Sequence, residues 1–201
     1  MPTLLLIESS PRPVSASTSL AQKFAAEWQQ KNPGGKVTSR NVFTQPAPLV
    51  SEPWIQAAYT PVNHRSDEQK KALAASDEYI QELIEADTIV IGAPMHNFHL
   101  SSPLKAWIDQ IVRAGRTFSV SDAGYKGLLD GRKKVIVASA RGGEYTGDYA
   151  FLDNQTPYLK LILGFIGLTD VQFVYANNQS RGQEAAEAGL RVATEQVLAL
   201  V

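Results

Sequence analysis

The chain has no cysteine among its 201 residues, which excludes disulfide bonds, thiolate catalysis and cysteine-ligated metal or iron–sulfur sites. Histidine is also scarce, and neither His64 nor His99 stands at a metal-ligand spacing from a pair of carboxylates, so we predict no metal site. The same scarcity leaves no Ser-His-Asp arrangement that the sequence context supports. The sequence therefore singles out no side chain as a catalytic nucleophile.

The chain also lacks a large net charge, since 19 basic and 20 acidic residues give a net charge of −1. Such a balance gives no reason to expect nucleic acid or an anionic membrane as a partner. No apolar run approaches the roughly 20 residues that cross a bilayer. The N-terminal segment lacks the basic region and cleavage site of a signal peptide. We therefore expect a cytoplasmic protein with no membrane or nucleic-acid partner.

Short apolar runs alternate with amphipathic segments along nearly the whole chain, and the length suits one α/β domain, residues 1–201. This alternation predicts a parallel sheet with helices on both faces, a three-layer α/β sandwich. With a polar loop after the first strand, we predict the flavodoxin-like strand order 2-1-3-4-5. The predicted strands are 3–7, 36–41, 88–92, 134–139 and 171–175, and the predicted helices are 19–31, 66–85, 102–114, 157–166 and 183–200.

Two segments do not fit a minimal fold of this kind. The long connection Phe43–Arg65 is rich in proline and has little predicted regular structure, which is typical of a lid, a binding loop or an interface element. Thr117–Tyr125 alternates and then meets a turn signal, so we predict a small hairpin beside the fourth strand. We expect both segments near the carboxyl ends of the strands.

The run Met95-His96-Asn97-Phe98 follows the third predicted strand directly. Open α/β sheets bind their ligands at the carboxyl ends of the strands. A thioether, an imidazole, an amide and a phenyl ring together suit a flat aromatic ligand with polar edges better than a phosphate or a metal. His96 is read as an exposed loop residue in preference to a proton donor.

The loop after the first strand is rich in hydroxyl groups and contains no glycine, so it is neither a Walker A loop nor a dinucleotide fingerprint. It can still bind a phosphate, because the N-terminus of the following helix offers unpaired N–H groups and a partial positive charge. Ser10, Ser15 and Ser17 are the candidate ligands, with the amides of Ala16 and Ser17. The alternative is an ordinary serine-rich cap and turn.

A third loop, Ala140-Arg141-Gly142-Gly143, follows the fourth predicted strand. Paired glycines let the backbone approach a flat ligand closely. In isolation a plain turn is the better interpretation of this motif. The three loops follow neighbouring strands of the predicted order, however, and would therefore surround one crevice.

Taken together, these pieces resemble the bacterial FMN-dependent NADH-azoreductases, a branch of the flavodoxin-like quinone reductases. The resemblance extends over essentially the whole chain, and its specificity comes from the order and spacing of many motifs. Those that carry it include Ser9-Ser10, Ser15-Ala16-Ser17, Ala93 to Phe98, Arg113-Ala114-Gly115, Thr117-Phe118, Arg141-Gly142-Gly143 and Gly164 to Gly167. One departure is His96, where the family often has tyrosine.

The resemblance implies one FMN per subunit of a homodimer whose flavin sites lie at the interface. It places the FMN phosphate on the serine loop, the isoalloxazine ring against the loop after the third strand, and the N1/O2 edge of the ring against the glycine loop. It also suggests that Phe118, Tyr125 and Tyr59 line the substrate side, some of them from the partner subunit. The implied cofactor-binding residues are Ser10, Ser15, Ala16, Ser17, Met95, His96, Asn97, Phe98, Ala140, Arg141, Gly142 and Gly143.

The activity that the resemblance implies is two-electron reduction of quinones and aromatic azo compounds in a ping-pong mechanism. The electron donor is NADH, with NADPH as the alternative, and the flavin carries the chemistry without an obligate acid or base from the protein. A flavodoxin-like electron carrier is the first alternative, although carriers dock through strong complementary charge that this chain lacks. A flavin-free domain that keeps the fold is the second.

Overall fold

A parallel five-stranded sheet forms the centre of the computed structural model, which describes residues 1–201. A separate antiparallel pair, β4 and β5, forms a hairpin. The strands are β1 (Thr3–Glu8), β2 (Lys36–Asn41), β3 (Thr88–Pro94), β4 (Phe118–Ser121), β5 (Gly124–Gly127), β6 (Lys134–Ala140) and β7 (Asp170–Ala176). The helices are α1 (Ala16–Lys31), α2 (Glu52–Tyr59), α3 (Asp67–Glu85), α4 (Ser102–Ile111), α5 (Gln155–Phe165) and α6 (Gln183–Ala199), and 3-10 turns occupy Val62–His64 and Gly147–Leu152.

The order of the main sheet is β2-β1-β3-β6-β7, which confirms the predicted order 2-1-3-4-5. The central strands β1, β3 and β6 are buried on both faces, as their nearly unbroken apolar sequences require. Alternate residues of β1 point to opposite faces: Leu5 and Ile7 join the core under α3, α4 and α5, while Leu4 and Leu6 join the core under α1 and α6. No helix is both long and apolar enough to cross a membrane.

Several elements differ from the predicted bounds in ways that affect the candidate site. β3 continues to Pro94 and β6 to Ala140, so each strand leads directly into a candidate loop. α4 ends at Ile111 rather than at 114, because the Thr117 hydroxyl donates to the Ile111 carbonyl oxygen at 2.6 Å and turns the chain back. α1 begins at Ala16, three residues before the predicted start, so the serine loop is part of its first turn.

The prediction that Phe43–Arg65 has little regular structure was wrong. Ser51 caps α2 by accepting from the Trp54 amide, and Pro53 lies in the first turn, where a proline costs no helical hydrogen bond. The Trp54 indole N–H donates to Gln110 Oε1 of α4 at 2.8 Å, and Trp54 packs with Ala57 against Leu73 of α3. Buried contacts therefore fasten this segment to two helices.

The predicted hairpin is present as β4 and β5, but the expectation that it lies at the carboxyl ends of the strands was wrong. Its base meets the chain that leaves α5: the Leu129 amide donates to the Ile166 carbonyl oxygen at 3.0 Å. A Cβ on Gly127 would lie 2.3 Å from the backbone nitrogen of Gly167. The hairpin base thus adjoins the segment that enters β7, near the amino edge of the sheet.

Candidate functional site

A crevice of about 250 Å³ opens at the carboxyl edge of the sheet. It lies where the loops after β1, β3, β6 and β7 meet, so it gathers the three predicted loops and a fourth. Its position agrees with the rule that open α/β sheets bind ligands at this edge. The lining residues are Pro11, Arg12, Pro94, Met95, His96, Ala140, Gly142, Gln179 and Ser180.

The serine loop presents unpaired donors at the start of α1. Ser15 occupies the N-cap position but makes no capping hydrogen bond, and its hydroxyl instead pairs with that of Ser17 at 3.0 Å. The first helical hydrogen bond runs from the Ser19 amide to the Ser15 carbonyl oxygen, which leaves the amides of residues 16–18 without a protein acceptor. Both hydroxyl groups are buried. An ordinary serine cap would accept from one of these amides, whereas here all three remain unpaired, and this arrangement favours an external anion.

The rest of this loop is tied to the neighbouring strand. The Ser9 hydroxyl donates to the Gly92 carbonyl oxygen of β3 at 2.7 Å, and the buried Ser10 hydroxyl accepts from the Arg12 amide at 3.2 Å. The Ser10 hydroxyl proton remains free to donate to a ligand. Arg12 is exposed and lines the crevice, where its charge is available to an anion.

Residues 96–99 form a tight turn with two mutual hydrogen bonds of 2.9 Å between His96 and His99. The two central residues, Asn97 (φ 47°) and Phe98 (φ 65°), both adopt left-handed backbone, as in a type I′ turn. Phenylalanine rarely accepts this conformation, so the turn stores strain. The Phe98 ring packs edge-on against Tyr145 at 5.7 Å. Neither central amide has a protein acceptor, so both can donate to a ligand.

The glycine loop is held by backbone contacts on both sides. The Arg141 amide donates to the Ala176 carbonyl oxygen at 2.9 Å, and the Gly142 carbonyl oxygen accepts from the Ser180 amide at 3.1 Å. The amides of Gly142 and Gly143 have no protein acceptor. Gly142 does not adopt a positive φ, and a Cβ there would lie 3.1 Å from Ser180 Oγ. Close approach, rather than left-handed backbone, is therefore what favours glycine at this position.

The Arg141 side chain points away from the crevice and into the protein. It is 4% exposed, and its guanidinium forms an ion pair with Asp153 at 3.0 Å and lies 3.8 Å from the centre of the Tyr175 ring. Burial by itself raises the pKa of Asp153, but hydrogen bonds from Thr156 and the charge of Arg141 outweigh it and lower that pKa. Arg141 borders the site through its backbone alone.

The three predicted substrate-lining residues do not lie in the crevice of their own chain. Phe118 and Tyr125 pack with Phe165, at ring distances of 4.7 and 5.6 Å from it. Phe165 ends α5, whose 11 residues span about 16 Å from the crevice end of the helix. Phe118 and Tyr125 therefore lie at the opposite end of α5 from the crevice of their own chain. Tyr59 ends α2 and is 80% exposed.

The loop after β7, which contributes Gln179 and Ser180 to the crevice, was not predicted from the sequence. The signal was available, because the carboxyl-edge rule applies to the last strand as well, and Asn177-Asn178 follows it directly. Asn178 adopts left-handed backbone at φ 62°, which asparagine accepts more readily than most residues. Tyr145 was also missed, since nothing in the sequence pairs it with Phe98.

Comparison with known proteins agrees with this geometry. The family model described as a flavodoxin-like fold matches residues 2–201. An FMN-dependent NADH:quinone oxidoreductase of Burkholderia pseudomallei (strain 1710b) is 48% identical over 201 residues, which is 100% of both chains. FMN-dependent NADH:quinone oxidoreductase 2 of Trichormus variabilis is 46% identical over 200 residues, 98% of this chain and 97% of that one.

Solved structures give the same result. An azoreductase from Bacillus anthracis str. Sterne superposes with a TM-score of 0.90 at 27% identity, covering 100% of this chain and 98% of that one. An FMN-dependent NADH-azoreductase from Bacillus anthracis str. Ames Ancestor, solved in complex with FMN, has a TM-score of 0.86 at 26% identity and coverage of 100% and 99%. The chain therefore belongs to the family with a flavodoxin-like fold and, within it, to the FMN-dependent NADH:quinone oxidoreductases and azoreductases.

Proposed function

We propose that this protein is an FMN-dependent NADH:quinone oxidoreductase that also reduces aromatic azo compounds, and that residues 1–201 act as one FMN-binding domain. The observation that carries the proposal is the set of unpaired backbone amides on three loops around one crevice. The curated relatives that cover nearly the whole chain carry the same activity in their names. NADH is the proposed donor, with NADPH as the alternative.

The residues at the start of α1 fit the FMN phosphate. A dianion there would accept from the amides of Ala16, Ser17 and Thr18, which have no other partner. The Ser10, Ser15 and Ser17 hydroxyl groups are buried beside them. Ser10 can donate to the phosphate, and so can whichever of Ser15 and Ser17 accepts in the hydrogen bond between those two hydroxyl groups. The partial positive charge of the helix N-terminus and the nearby guanidinium of Arg12 favour the same charge.

The other two loops fit the edges of the isoalloxazine ring. The amides of Asn97 and Phe98 on one side, and those of Gly142 and Gly143 on the other, are donors that the protein leaves unused. Met95, His96 and Ala140 line the crevice between them. Because these amides belong to loops fixed at strand ends, they are oriented before any ligand arrives, which is the arrangement that stabilises developing negative charge.

When bound, FMN would supply the redox chemistry, as the carrier of a hydride equivalent from NADH to a quinone or azo compound in a ping-pong sequence, with the second proton of the reduced acceptor coming from solvent. The protein contributes orientation, amide donors and exclusion of water. No side chain with acid–base chemistry is required, and His96, at the exposed rim of the crevice, is assigned no proton-transfer role.

We also propose that the protein is a cytoplasmic homodimer whose flavin sites lie at the interface between the two subunits. Phe118, Tyr125 and Tyr59 lie outside the crevice of their own chain, and in the dimer they would line the substrate side of the partner's crevice. Large apolar side chains are exposed on α2, on the turn after it, on β4, on the 3-10 turn before α5 and on α5, and an interface would cover them. They include Ile55, Tyr59, Val62, Val120, Tyr149, Phe151 and Leu161.

The proposal is tested by loading the protein with FMN and measuring steady-state rates with a quinone and with an azo dye, each with NADH and with NADPH. We expect turnover of both acceptors with NADH. An electron carrier would instead show no turnover unless a separate reductase is added. A protein that retains no flavin absorption after FMN addition and removal of unbound FMN would be a flavin-free domain.

A further inference from the structure

A chain of buried polar side chains runs beneath the crevice, on the side of the sheet that α5 covers. At its centre is Gln155, which is fully buried. Its Nε2 donates to the carbonyl oxygens of Ala93 at 3.3 Å and Pro94 at 3.2 Å, at the end of β3. Its Oε1 accepts from the Ser139 hydroxyl of β6 at 2.5 Å. One amide side chain therefore joins the ends of two neighbouring strands.

Arg141 continues the chain. Its Nε donates to Ser139 Oγ at 3.2 Å, and its Nη2 donates to Thr156 Oγ1 at 2.5 Å. The Asp153 carboxylate, which pairs with this guanidinium, also accepts from the backbone amides of Gln155 and Thr156 at 3.1 and 2.9 Å. The first turn of α5 is thereby fixed to the residue that precedes the two glycines of the loop.

The position of these contacts along the chain is what connects them to the crevice. Pro94 directly precedes Met95, and Arg141 directly precedes Gly142. The network thus bonds to Pro94 and Arg141, which lead into the segments 97–98 and 142–143 with their unpaired amides. Neither Gln155 nor the Arg141 side chain lines the crevice, so any effect on a ligand passes through the loops.

We propose that Gln155, acting with Ser139 and Arg141, is a positioning residue that sets the redox potential of the bound flavin. This inference rests on the proposed function. The network fixes the distance between the two loops, so that the amides at 97–98 and at 142–143 reach the ring together. Negative charge gathers at the N1/O2 edge when the flavin is reduced, and preoriented donors therefore stabilise the reduced form more than the oxidised one.

A purely structural role would give a different pattern, and the chain offers a matched control. Gln110 is also a fully buried glutamine. Its Nε2 donates to the Pro48 carbonyl oxygen at 2.7 Å and its Oε1 accepts from the Trp54 indole at 2.8 Å. It links α4 to α2 and to the segment before it, and it does not line the crevice. Replacing either glutamine with methionine keeps the shape of the side chain and removes its hydrogen bonds.

The experiment compares Gln155→Met and Gln110→Met as FMN-loaded proteins, with three readouts: thermal midpoint, FMN dissociation constant and FMN midpoint potential. We expect similar losses of thermal midpoint. In Gln155→Met the affinity for reduced FMN, relative to oxidised FMN, should fall about tenfold, which lowers a two-electron midpoint potential by about 30 mV. Gln110→Met should keep the wild-type potential. Ser139→Ala, which breaks the middle of the chain, should shift the potential in the same direction and decides the matter if Gln155→Met does not fold.

The outcomes separate this inference from the proposed function. Wild-type protein that binds FMN and is reduced by NADH, together with equal potentials in both methionine variants, overturns the inference and leaves the function intact. Wild-type protein that does not bind FMN overturns both. A potential shift confined to Gln155→Met and Ser139→Ala supports the inference, because loss of stability alone does not discriminate between the redox states.

Discussion

The Met95 amide donates a hydrogen bond at 2.8 Å to the carbonyl oxygen of Ala140, the last residue of β6 and the partner of Pro94 in the sheet. This bond joins the residue that follows β3 to β6 and brings the tight turn at 96–99 beside the glycine loop. Each loop then offers amides that no protein group uses. The pairing of β3 with β6 thus places the two sets of donors at the same edge of the sheet.

Replacing Ser15 and Ser17 together with alanine should weaken FMN binding at least about tenfold. Both hydroxyl groups are buried at the N-terminus of α1, and a hydrogen bond to a charged group contributes about 1.5–3 kcal/mol. Equilibrium titration with FMN measures the change. The control is Ser19→Ala, one turn further along the helix, which should bind FMN like the wild type. Unchanged affinity in the double variant would show that the FMN phosphate does not bind at this loop.

Gly142→Val should damage catalysis more than folding. Its Cβ would lie 3.1 Å from Ser180 Oγ and 3.8 Å from the Tyr145 hydroxyl oxygen, so the two further methyl groups of valine would crowd these side chains and displace the loop with its amides. Loss of one such donor can lower a rate about 10²–10³-fold, measured as the rate of flavin reduction by NADH. Gly34→Val is the control, since a Cβ there meets nothing within 4 Å. Wild-type reduction rates in folded Gly142→Val would place the glycine outside the site.

Asp153 should make folding stability depend on pH in the acidic range. Its pKa is lowered in the folded protein by hydrogen bonds from Thr156 and by the charge of Arg141, which together outweigh the opposing effect of burial. A lowered folded pKa contributes stability that is present above the unfolded value of about 3.9 and is lost as pH falls below it. The thermal midpoint of Asp153→Asn should therefore lie below that of the wild type at pH 7.

The gap between these two thermal midpoints should narrow as the pH falls below about 4, because protonation removes the charge of Asp153 in the wild type as well. Asp122→Asn, an exposed change at the tip of the hairpin, serves as the control and should follow the wild type throughout. A gap that stays constant from pH 7 to pH 3 would show that the ion pair with Arg141 contributes nothing.

Sedimentation should show a dimer at assay concentrations, and specific activity should fall on dilution below the dissociation constant. Phe118→Ala and Tyr125→Ala should lower the rate with quinone, because in the proposed dimer these side chains line the substrate side of the partner's crevice. The affinity for FMN should stay unchanged, because neither side chain lies in the crevice of its own chain. A monomer with full activity would refute a shared site.

The sheet could be predicted because most of its strands are short apolar runs separated by helices, and a parallel order follows from that alternation. Helix α2 could not be predicted in the same way, since the prolines around it suggest a loop. Pro53, however, stands in the first turn, where proline is tolerated, and Ser51 caps the helix. The prolines favour a loop and the Ser51 cap favours a helix, and the burial of Trp54 against Leu73 stabilises the helix.

The sequence was enough to predict which loops form the candidate site, but not which way the side chains on those loops point. Arg141 belongs to a loop that borders the crevice, yet Asp153, Thr156 and Tyr175 hold its guanidinium on the other side. These partners come from α5, the turn before it and β7, and only the folded sheet brings them together. The hairpin at 118–127 was likewise predictable as a hairpin, whereas its place depends on the close contact of Gly127 with Gly167.

The central claim is that the crevice holds FMN in a state that NADH reduces directly. Anaerobic stopped-flow mixing of the FMN-loaded protein with NADH, followed at the flavin absorption band, measures this step without any acceptor. We predict rapid bleaching of the bound flavin by NADH alone, and recovery of the band when a quinone is added. A flavin band that persists until a separate reductase is supplied would contradict the account.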